Sequence, residues 1–181
     1  MPRPATPSQL TTPGAGTVIA VLLRLARPDD ADATREIYNA EVTGSTVTFD
    51  LVPRTLDEQE AWLDQRSGAM AVVVAEIDDR VAGFASLSPY RDRPAYATTV
   101  EDSVYVHGDF RGRGVGRALL TEVLDIAGAR GFHAVMARIV GGHDTSIGLH
   151  ESLGFRIVGT ETEVGRKFGR WLDVVLMQKM L

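Results

Sequence analysis

The chain has 181 residues, of which 44% are hydrophobic and 24% charged, and this size and balance predict one globular domain. It contains no cysteine, which excludes disulfides, thiolate metal sites and acyl transfer through a cysteine. The formal charge of -5 argues against a general nucleic-acid partner, because neutralising phosphates requires a basic face.

The N-terminal segment is predicted to be disordered. Residues 1–17 hold four prolines and little to bury, so we expect an extension followed by a domain over residues 18–181. The apolar run 18–23 is shorter than the roughly 20 residues of a membrane span and ends at Arg24. A signal peptide would need more basic residues before that run and a cleavage site after it, so we expect a cytoplasmic protein without a membrane partner.

The first part of the domain is predicted as strand, helix, loop and helix. The apolar run up to Leu25 predicts a strand, and Pro28–Asp30 predicts a turn whose aspartates cap the helix that follows. A longer loop is expected over residues 44–53. Thr55 and Glu58 have the spacing of a capping box, which predicts that a second helix begins there.

A series of strands leads to a glycine-rich segment and another helix. Residues 70–77 and 81–87 predict a hairpin joined at residues 78–80, and residues 98–106 predict a third strand. After the glycine-rich segment, apolar side chains recur at helical spacing until Gly131, which predicts a long amphipathic helix.

The last part of the chain is predicted as strand, helix and a strand pair. Residues 134–140 predict a buried strand, residues 145–153 a short helix that ends at Gly154, and residues 155–164 and 171–180 the final strands. No internal repeat or long linker interrupts this order. The pattern therefore predicts one mixed α/β domain whose sheet is largely antiparallel at its start.

The glycine-rich segment, residues 111–117, has the character of an anion site. It reads Arg-Gly-Arg-Gly-Val-Gly-Arg between a strand and a helix, so its backbone N–H groups can turn inward at the positive end of the helix dipole. Glycines allow close approach of a pyrophosphate, and the arginines add charge. The NTPase phosphate loop and the dinucleotide fingerprint both require spacings that this segment lacks. A flexible turn with solvated arginines is the alternative.

Candidate catalytic side chains lie on both sides of this segment. Glu101 and Asp102 precede it in one strand, where alternation points them to opposite faces, and the pattern alone does not choose between them. His150 titrates near neutrality and is able to act as an acid or a base, or else packs as a structural side chain. His143 and His150 match no metal-binding motif, so no metal is expected.

Residues 103–117 resemble the GNAT superfamily of N-acetyltransferases, whose R/Q-x-x-G-x-G/A motif is matched by Arg111, Gly114 and Gly116. The resemblance implies a GNAT fold, with a mixed, mostly antiparallel twisted sheet of about seven strands flanked by about four helices. It implies acetyl-CoA as co-substrate, with its pantetheine arm along the strand and its pyrophosphate on the turn. The implied cofactor-binding residues are Val104, Tyr105, Val106, Arg111, Gly112, Arg113, Gly114, Val115, Gly116 and Arg117.

Three further blocks resemble the phosphinothricin acetyltransferase branch of this superfamily. They are residues 96–106, matching A-Y-x-x-T-V-E-x-S/T-V-Y-V, residues 149–155, Leu-His-Glu-Ser-Leu-Gly-Phe, and residues 165–173. The first block implies that Glu101 is the general base, acting through a water, although an exposed strand carboxylate is the alternative. The second places His150 where many members carry a tyrosine that donates to the departing thiolate.

The branch pattern N-D-x-S departs in this chain. Here the four residues are His143-Asp144-Thr145-Ser146, so the asparagine that contacts pantetheine in the branch is replaced. We expect His143 and Ser146 at the cofactor, and the replacement leaves open whether His143 makes the usual contact.

The resemblance implies small amino-acid acceptors with an oxidised or phosphinic side chain, namely phosphinothricin, methionine sulfoximine and methionine sulfone. Arginines bind such oxyanions bidentately, and Arg91 and Arg93 are the candidates, with a solvated loop as the alternative. Phe49 and Tyr96 are expected as pocket walls. Exposed aromatics such as Trp171 in the closing strand pair favour a homodimer.

Two other functions fit the same sequence. Acetylation of a protein N-terminus or lysine would use an open acidic groove, which the acidic composition permits. A catalytically silent domain that binds acyl-CoA would bind the coenzyme without releasing thiol. The pair Glu101 and His150 favours an enzyme over the silent domain.

Overall fold

The computed structural model of the chain describes residues 7–11, 18–66 and 68–181. Within them, one sheet of eight strands is flanked by four helices. The strands are β1 (Pro7–Thr11), β2 (Val18–Leu25), β3 (Val72–Ile77), β4 (Arg80–Pro89), β5 (Thr99–Val106), β6 (Ala134–Val140), β7 (Arg156–Lys167) and β8 (Arg170–Met180). The helices are α1 (Ala31–Gly44), α2 (Leu56–Asp64), α3 (Val115–Ala129) and α4 (Asp144–Ser152).

The sheet is mixed and mostly antiparallel. Its strand order is β1-β2-β3-β4-β5-β6-β8-β7, and β5 and β6 are the parallel pair among the described strands. The predicted α/β fold with a mostly antiparallel sheet and four helices is confirmed. There are eight strands rather than about seven because Pro7–Thr11 adds an edge strand beside β2.

This edge strand lies inside the segment predicted to be disordered. Pro7 lies opposite Leu22 and Thr11 opposite Val18, so an ordered strand replaces disorder at residues 7–11. Residues 1–6 and 12–17 lie outside the described residues. The division into an extension over residues 1–17 and a domain over residues 18–181 stays a prediction.

Two local features predicted from the sequence are present in the structure, the capping box of α2 and the turn between β3 and β4. The N–H of Glu58 donates to the Thr55 hydroxyl at 3.2 Å and the N–H of Thr55 donates to the Glu58 carboxylate at 2.8 Å, which is the capping box that opens α2. Asp78 and Asp79 join β3 to β4 with φ values of 48° and 60°. A two-residue hairpin turn requires this left-handed conformation, which aspartate tolerates.

The predicted aspartate cap of α1 is not formed. The Asp30 carboxylate accepts the N–H of Arg27 at 2.6 Å and the guanidinium of Arg24 at 2.7 and 2.8 Å, and it makes no side-chain cap to α1. Arg24 also bonds Glu76 of β3. Asp30 therefore ties the entrance of α1 to the sheet instead of capping the helix.

The two faces of the sheet are covered by different helices. On one face, α3 buries Leu119, Leu120 and Val123 completely in the larger core cluster. On the other face, α1 packs Tyr38 against Tyr105 of β5, with ring centroids 5.1 Å apart. Residues of β5 alternate between these layers, which positions its side chains on both faces.

The parallel strands β5 and β6 are paired only at their N-terminal ends and then diverge. Residues 99–101 lie opposite residues 134–136, and no further pairs join β5 to β6 in the described sheet, although β5 continues to Val106 and β6 to Val140. One edge of β5 is thereby left without a strand partner at the level where the glycine-rich segment begins.

Candidate active site

A cleft of about 700 Å³ opens where β5 and β6 diverge. Its walls are β5, β6, the Arg-Gly turn (residues 111–117), α4 and the α1–α2 loop (residues 45–55). The predicted site residues that line it are Phe49, Glu101, Val104, Tyr105, Val106, Arg111, Gly112, Gly114, Val115, Gly116, His143, Ser146 and His150. Most of the predicted site is therefore brought to one place.

The Arg-Gly turn is shaped by left-handed glycines. Gly112 and Gly114 have φ values of 72° and 81°, and Gly114 is the residue at which α3 is capped. A Cβ at Gly112 would meet open space, so conformation rather than crowding requires glycine there. The N-terminus of this 15-residue helix lines the cleft, and backbone amides at a helix N-terminus are suited to bind an anion such as a pyrophosphate.

The side chain of Arg111 is held by protein groups at the mouth of the cleft. Its guanidinium forms an ion pair with Glu41 of α1, and its Nε donates to the carbonyl of Val106 at 3.2 Å. Glu41 is buried and also accepts the Ser45 hydroxyl. These contacts fasten the turn to α1 and to the end of β5.

Arg113 and Arg117 flank the turn without lining the cleft. Arg113 stacks over the Phe110 ring at 5.5 Å, and Arg117 donates to the Ser152 hydroxyl at 2.7 Å. Their contact with the cofactor stays a prediction.

Glu101 is half-buried and lines the cleft beside the divergence. Burial raises the pKa of its carboxyl above the ordinary value. The positive charge of Arg138 opposes that shift, whereas the carboxylates of Asp102 and Glu161 add to it. A carboxylate with a raised pKa is a stronger proton acceptor, as a general base requires.

His150 is buried and its ring nitrogens both have partners. Nδ1 lies 2.7 Å from the Ser146 carbonyl and Nε2 lies 3.0 Å from Oδ2 of Asp102. Burial lowers the pKa of the ring, but the hydrogen bond and charge of Asp102 raise it more, so the net direction is upward. His150 is thus coupled to a carboxylate that sequence reasoning did not connect with it.

His143 and Ser146 lie at the start of α4, where both line the cleft. The N–H of Ser146 donates to the His143 carbonyl at 2.9 Å, which closes the first turn of the helix. Both residues stand beside the open edge of β5. Whether His143 contacts pantetheine stays a prediction.

One end of the cleft is formed by the α1–α2 loop. Tyr38 donates to Asp50 at 2.6 Å and lies 2.9 Å from the Thr48 hydroxyl. Lys167, buried at the end of β7, donates to the Thr48 carbonyl at 2.8 Å. These bonds fix the loop that carries Phe49 into the cleft.

Three predicted acceptor residues lie elsewhere. Arg91, Arg93 and Tyr96 belong to the segment between β4 and β5, and none is among the residues that line the cleft. Arg91 instead stacks on Tyr90 and Tyr96, at 5.0 and 5.6 Å from their ring centres. Their role in binding an acceptor is not visible in this arrangement and stays a prediction.

The cleft also contains side chains that sequence reasoning missed. Arg138 of β6 lines it and pairs with Glu161 of β7 at 2.7 Å. Glu41 lines it as well, and so does Asp102, the carboxylate that the sequence offered beside Glu101. Arg138 carries no motif, but it is a charged residue within a strand that is otherwise apolar, and that was the available signal.

Within the described residues, no three histidine, aspartate or glutamate side chains are grouped to hold a metal ion. None of the described helices is both long and apolar enough to cross a membrane.

Residues 32–155 match the protein family described as Acetyltransferase (GNAT) family. The chain belongs to this GNAT family. The acetyltransferase is 40% identical over 158 residues to the L-methionine sulfoximine/L-methionine sulfone acetyltransferase of Pseudomonas paraeruginosa, covering 86% of this chain and 92% of the relative. The resemblance predicted from the motifs is confirmed, and the chain is an acetyl-CoA-dependent N-acetyltransferase.

Two solved structures resemble this acetyltransferase closely. A phosphinothricin acetyltransferase from Sinorhizobium meliloti in complex with acetyl-CoA has a TM-score of 0.86 and 37% identity, covering 89% of this chain and 88% of that one. The Ribosomal-protein-alanine N-acetyltransferase from Brucella melitensis has a TM-score of 0.87 and 40% identity, with coverages of 88% and 99%. The names of these similar proteins span small-molecule and protein acceptors.

Proposed function

We propose that this acetyltransferase transfers the acetyl group of acetyl-CoA directly to the amino group of a small amino acid with an oxidised or phosphinic side chain. Glu101 acts as the base. The observation that supports this most directly is the shared cleft, in which the Arg-Gly turn, the open edge of β5 and Glu101 meet.

The cofactor end of the cleft holds the coenzyme. Amides of the Arg-Gly turn bind the pyrophosphate, and the backbone of Val104 and Val106 pairs with the pantetheine arm along the unpartnered edge of β5. Acetyl-CoA supplies an activated acetyl thioester. The fixed turn and strand orient that ester toward Glu101, which converts a bimolecular encounter into a positioned one.

Glu101 makes the acceptor nucleophilic. An α-amino group has an ordinary pKa of about 8 and is mostly protonated at neutral pH, so it cannot attack until a base removes a proton. Glu101 takes that proton through a water. Its raised pKa brings the carboxylate closer to the amine in basicity, which favours the transfer.

The acceptor class follows from charge and from similarity. Arg138 places a guanidinium in the cleft within electrostatic reach of Glu101, where an anionic group of the acceptor is stabilised. The Pseudomonas relative is named for methionine sulfoximine and methionine sulfone, and the Sinorhizobium structure for phosphinothricin. An acceptor with an amine and two oxyanion-like groups suits this arrangement.

A homodimer is part of the proposal. Apolar side chains of β7, β8 and their turn are about half exposed or more, and β7 is the edge strand of the sheet. They are Ile157, Val158, Val164, Phe168 and Trp171. Pairing such a surface with a second copy removes it from water, and sedimentation over a range of concentrations measures the association. Because acetyl-CoA is an intracellular metabolite, we place the enzyme in the cytoplasm.

Thiol release from acetyl-CoA tests the function. We expect turnover with methionine sulfone, methionine sulfoximine and phosphinothricin, and little with methionine or with peptides that begin with alanine. The Brucella similarity makes preference for the peptides the second candidate function, and that preference would replace the present proposal. Binding of coenzyme A without thiol release from any amine would indicate a silent binding domain.

Glu101→Gln tests the base in the same assay. The amide cannot accept the proton, so kcat/KM at neutral pH should fall by about 10²- to 10⁴-fold, with binding of coenzyme A unchanged. Glu36→Gln, an exposed carboxylate on α1, is the matched control and should keep full activity. Full activity of Glu101→Gln would remove Glu101 from the mechanism.

A further inference from the structure

Glu41 stands at a position that helix α1 by itself disfavours. It lies in the last turn of α1, where the helix dipole destabilises a negative charge, and it is only 8% exposed. A buried carboxylate also needs hydrogen-bond or ionic partners. A residue that breaks local rules in this way is expected at a functional site, and Glu41 lines the cleft.

The carboxylate of Glu41 has partners on two different elements. One oxygen forms an ion pair with the guanidinium of Arg111 in the Arg-Gly turn. The other accepts the hydroxyl of Ser45, the first residue of the α1–α2 loop, at 2.5 Å. Glu41 therefore joins the turn to the loop.

The carbonyl of Glu41 supports the same loop. It accepts the N–H of Ser45 at 3.1 Å and lies 3.5 Å from the ammonium of Lys167. That ammonium donates to the Thr48 carbonyl at 2.8 Å. Phe49 is the next residue and lines the cleft, so its position depends on these bonds.

We propose that Glu41 is a positioning residue that couples the binding of the two ligands. Coenzyme on the Arg-Gly turn holds Arg111 in place, and Arg111 acts through Glu41 to hold the loop against the acceptor. This coupling rests on the proposed function, which brings the coenzyme to the turn and an amino acid to the same cleft.

Two arrangements of the loop give the coupling its physical basis. In the docked loop, as in the structure, Ser45 is bonded to Glu41; in the undocked loop this bond and the one from Lys167 are broken. Coenzyme that fixes the turn keeps Arg111 against Glu41 and so favours the docked loop. An acceptor that packs against the loop favours it too. Ligands that favour one state raise each other's affinity by the same factor.

Hydrogen exchange tests the link with coenzyme A alone. In the wild-type enzyme, saturating coenzyme A should slow exchange of the amides at residues 45–50 by about fivefold or more, the lower range of typical coupling between sites. Glu41→Leu should lose this effect at the loop and keep slowed exchange at residues 111–117. Leucine fills a similar volume at this buried position and accepts no hydrogen bond. Glu36→Leu, at an exposed glutamate of the same helix, is the matched control and should behave like the wild type.

Binding of methionine sulfone provides the second measurement. Coenzyme A has no acetyl group to transfer, so calorimetry can compare the dissociation constant of methionine sulfone for the free enzyme and for the coenzyme complex. The two constants should differ by about fivefold or more in the wild type and by less than about twofold in Glu41→Leu. Ser45→Ala should lose the coupling as well, although it leaves the ion pair between Glu41 and Arg111 in place.

The affinity of the free enzyme for coenzyme A separates positioning from loss of structure. Glu41→Leu removes a carboxylate from beside the turn and leaves Arg111 free to face the pyrophosphate, so the dissociation constant should stay equal or decrease. A clear increase would give Glu41 a purely structural role and would contradict the coupling.

Two further results would contradict it. One is a wild-type loop whose exchange does not respond to coenzyme A, which needs no variant and so does not depend on the folding of Glu41→Leu. The other is loop protection that persists in Glu41→Leu, as shielding by the coenzyme itself would give. If no small acceptor binds or reacts, the proposed function fails instead, whereas exchange with coenzyme A alone still reports on the link between turn and loop.

Discussion

Glu101 and Asp102 are neighbours in β5, and both line the same cleft. Alternation sends them to opposite faces of the strand, which is why the sequence alone could not decide which one meets the substrate. The cleft lies at an open edge of β5 rather than over one face, because β6 pairs with only the first part of the strand. Both carboxylates therefore line one cleft although they point to opposite faces of the strand.

Arg138 and Glu161 should move the acid limb of the pH profile in opposite directions. As the proposed base, Glu101 must be ionised, so we expect activity to be lost as the pH falls through its raised pKa. Arg138→Gln removes a charge that lowers this pKa and should move the limb to higher pH. Glu161→Gln removes a charge that raises it and should move the limb to lower pH.

The size of both shifts is limited because Arg138 is 36% exposed and salt screens it, so each should be less than about one pH unit. The double variant is the control, since removing both charges should bring the limb back near its wild-type position. The dependence of kcat/KM on pH, with methionine sulfone as the acceptor, measures the limb in the two single variants and in the double variant. Shifts of the same sign in the two single variants would contradict the electrostatic account.

At the scale of elements, contacts between β7 and the α1–α2 loop fix the position of the loop at its end of the cleft. Gly165 lies under the Phe49 ring, where a Cβ would overlap the ring atoms. Lys167, two residues on, holds the Thr48 carbonyl. The strand therefore fixes both the backbone and the aromatic side chain of the loop.

Gly165→Ala should change the acceptor end without unfolding the protein. The added methyl displaces the Phe49 ring, which is 38% exposed and able to move, so the unfolding free energy should fall by less than about 1 kcal/mol. We expect an altered KM for the amino acid and the same KM for acetyl-CoA. Gly159→Ala, also in β7 but with open space around it, should change neither. An unchanged acceptor KM in Gly165→Ala would remove Phe49 from the pocket.

The elements that could be predicted are those whose signals are local. The capping box at Thr55, the helical spacing in α3 and the glycines of the Arg-Gly turn depend on neighbours within a few residues. The fold, and the gathering of β5 and the Arg-Gly turn at one cleft, followed from them and from the GNAT resemblance. The contacts of Asp30 could not be predicted in this way. Its carboxylate binds Arg24 of β2 instead of capping α1, and that pairing is not a local signal.

Contacts between side chains of the cleft were harder to predict because they join residues that are far apart in sequence. The contact between Lys167 and Thr48 spans 119 residues, and that between His150 and Asp102 spans 48. Spacing along the chain carries no information about such pairs. Arg91 and Arg93 were predicted as arginines of a loop near β5, and Arg138 of β6, whose charge acts on Glu101, lines the cleft in addition to Arg111.

At the scale of the whole molecule, the chain is built around a divided sheet. Strands β1 to β5 and strands β6 to β8 are joined by only three opposed residue pairs between β5 and β6, residues 99–101 with 134–136. Helix α3 connects them along the chain and packs against strands β2 to β5. A ligand that pairs with the open edge of β5 occupies the gap between the two groups of strands.

Coenzyme A should therefore stabilise the whole fold, and the rim arginines should control how much. At about 100 times its dissociation constant, a ligand of the native state raises the unfolding free energy by about 2.7 kcal/mol, measurable by urea denaturation. Arg113→Glu with Arg117→Glu places two carboxylates beside the pyrophosphate site, so most of that gain should vanish at the same concentration. Arg130→Glu with Arg156→Glu makes the same change in net charge at exposed positions away from the turn and should keep it. Equal stabilisation of both double variants would mean that the turn does not bind the coenzyme.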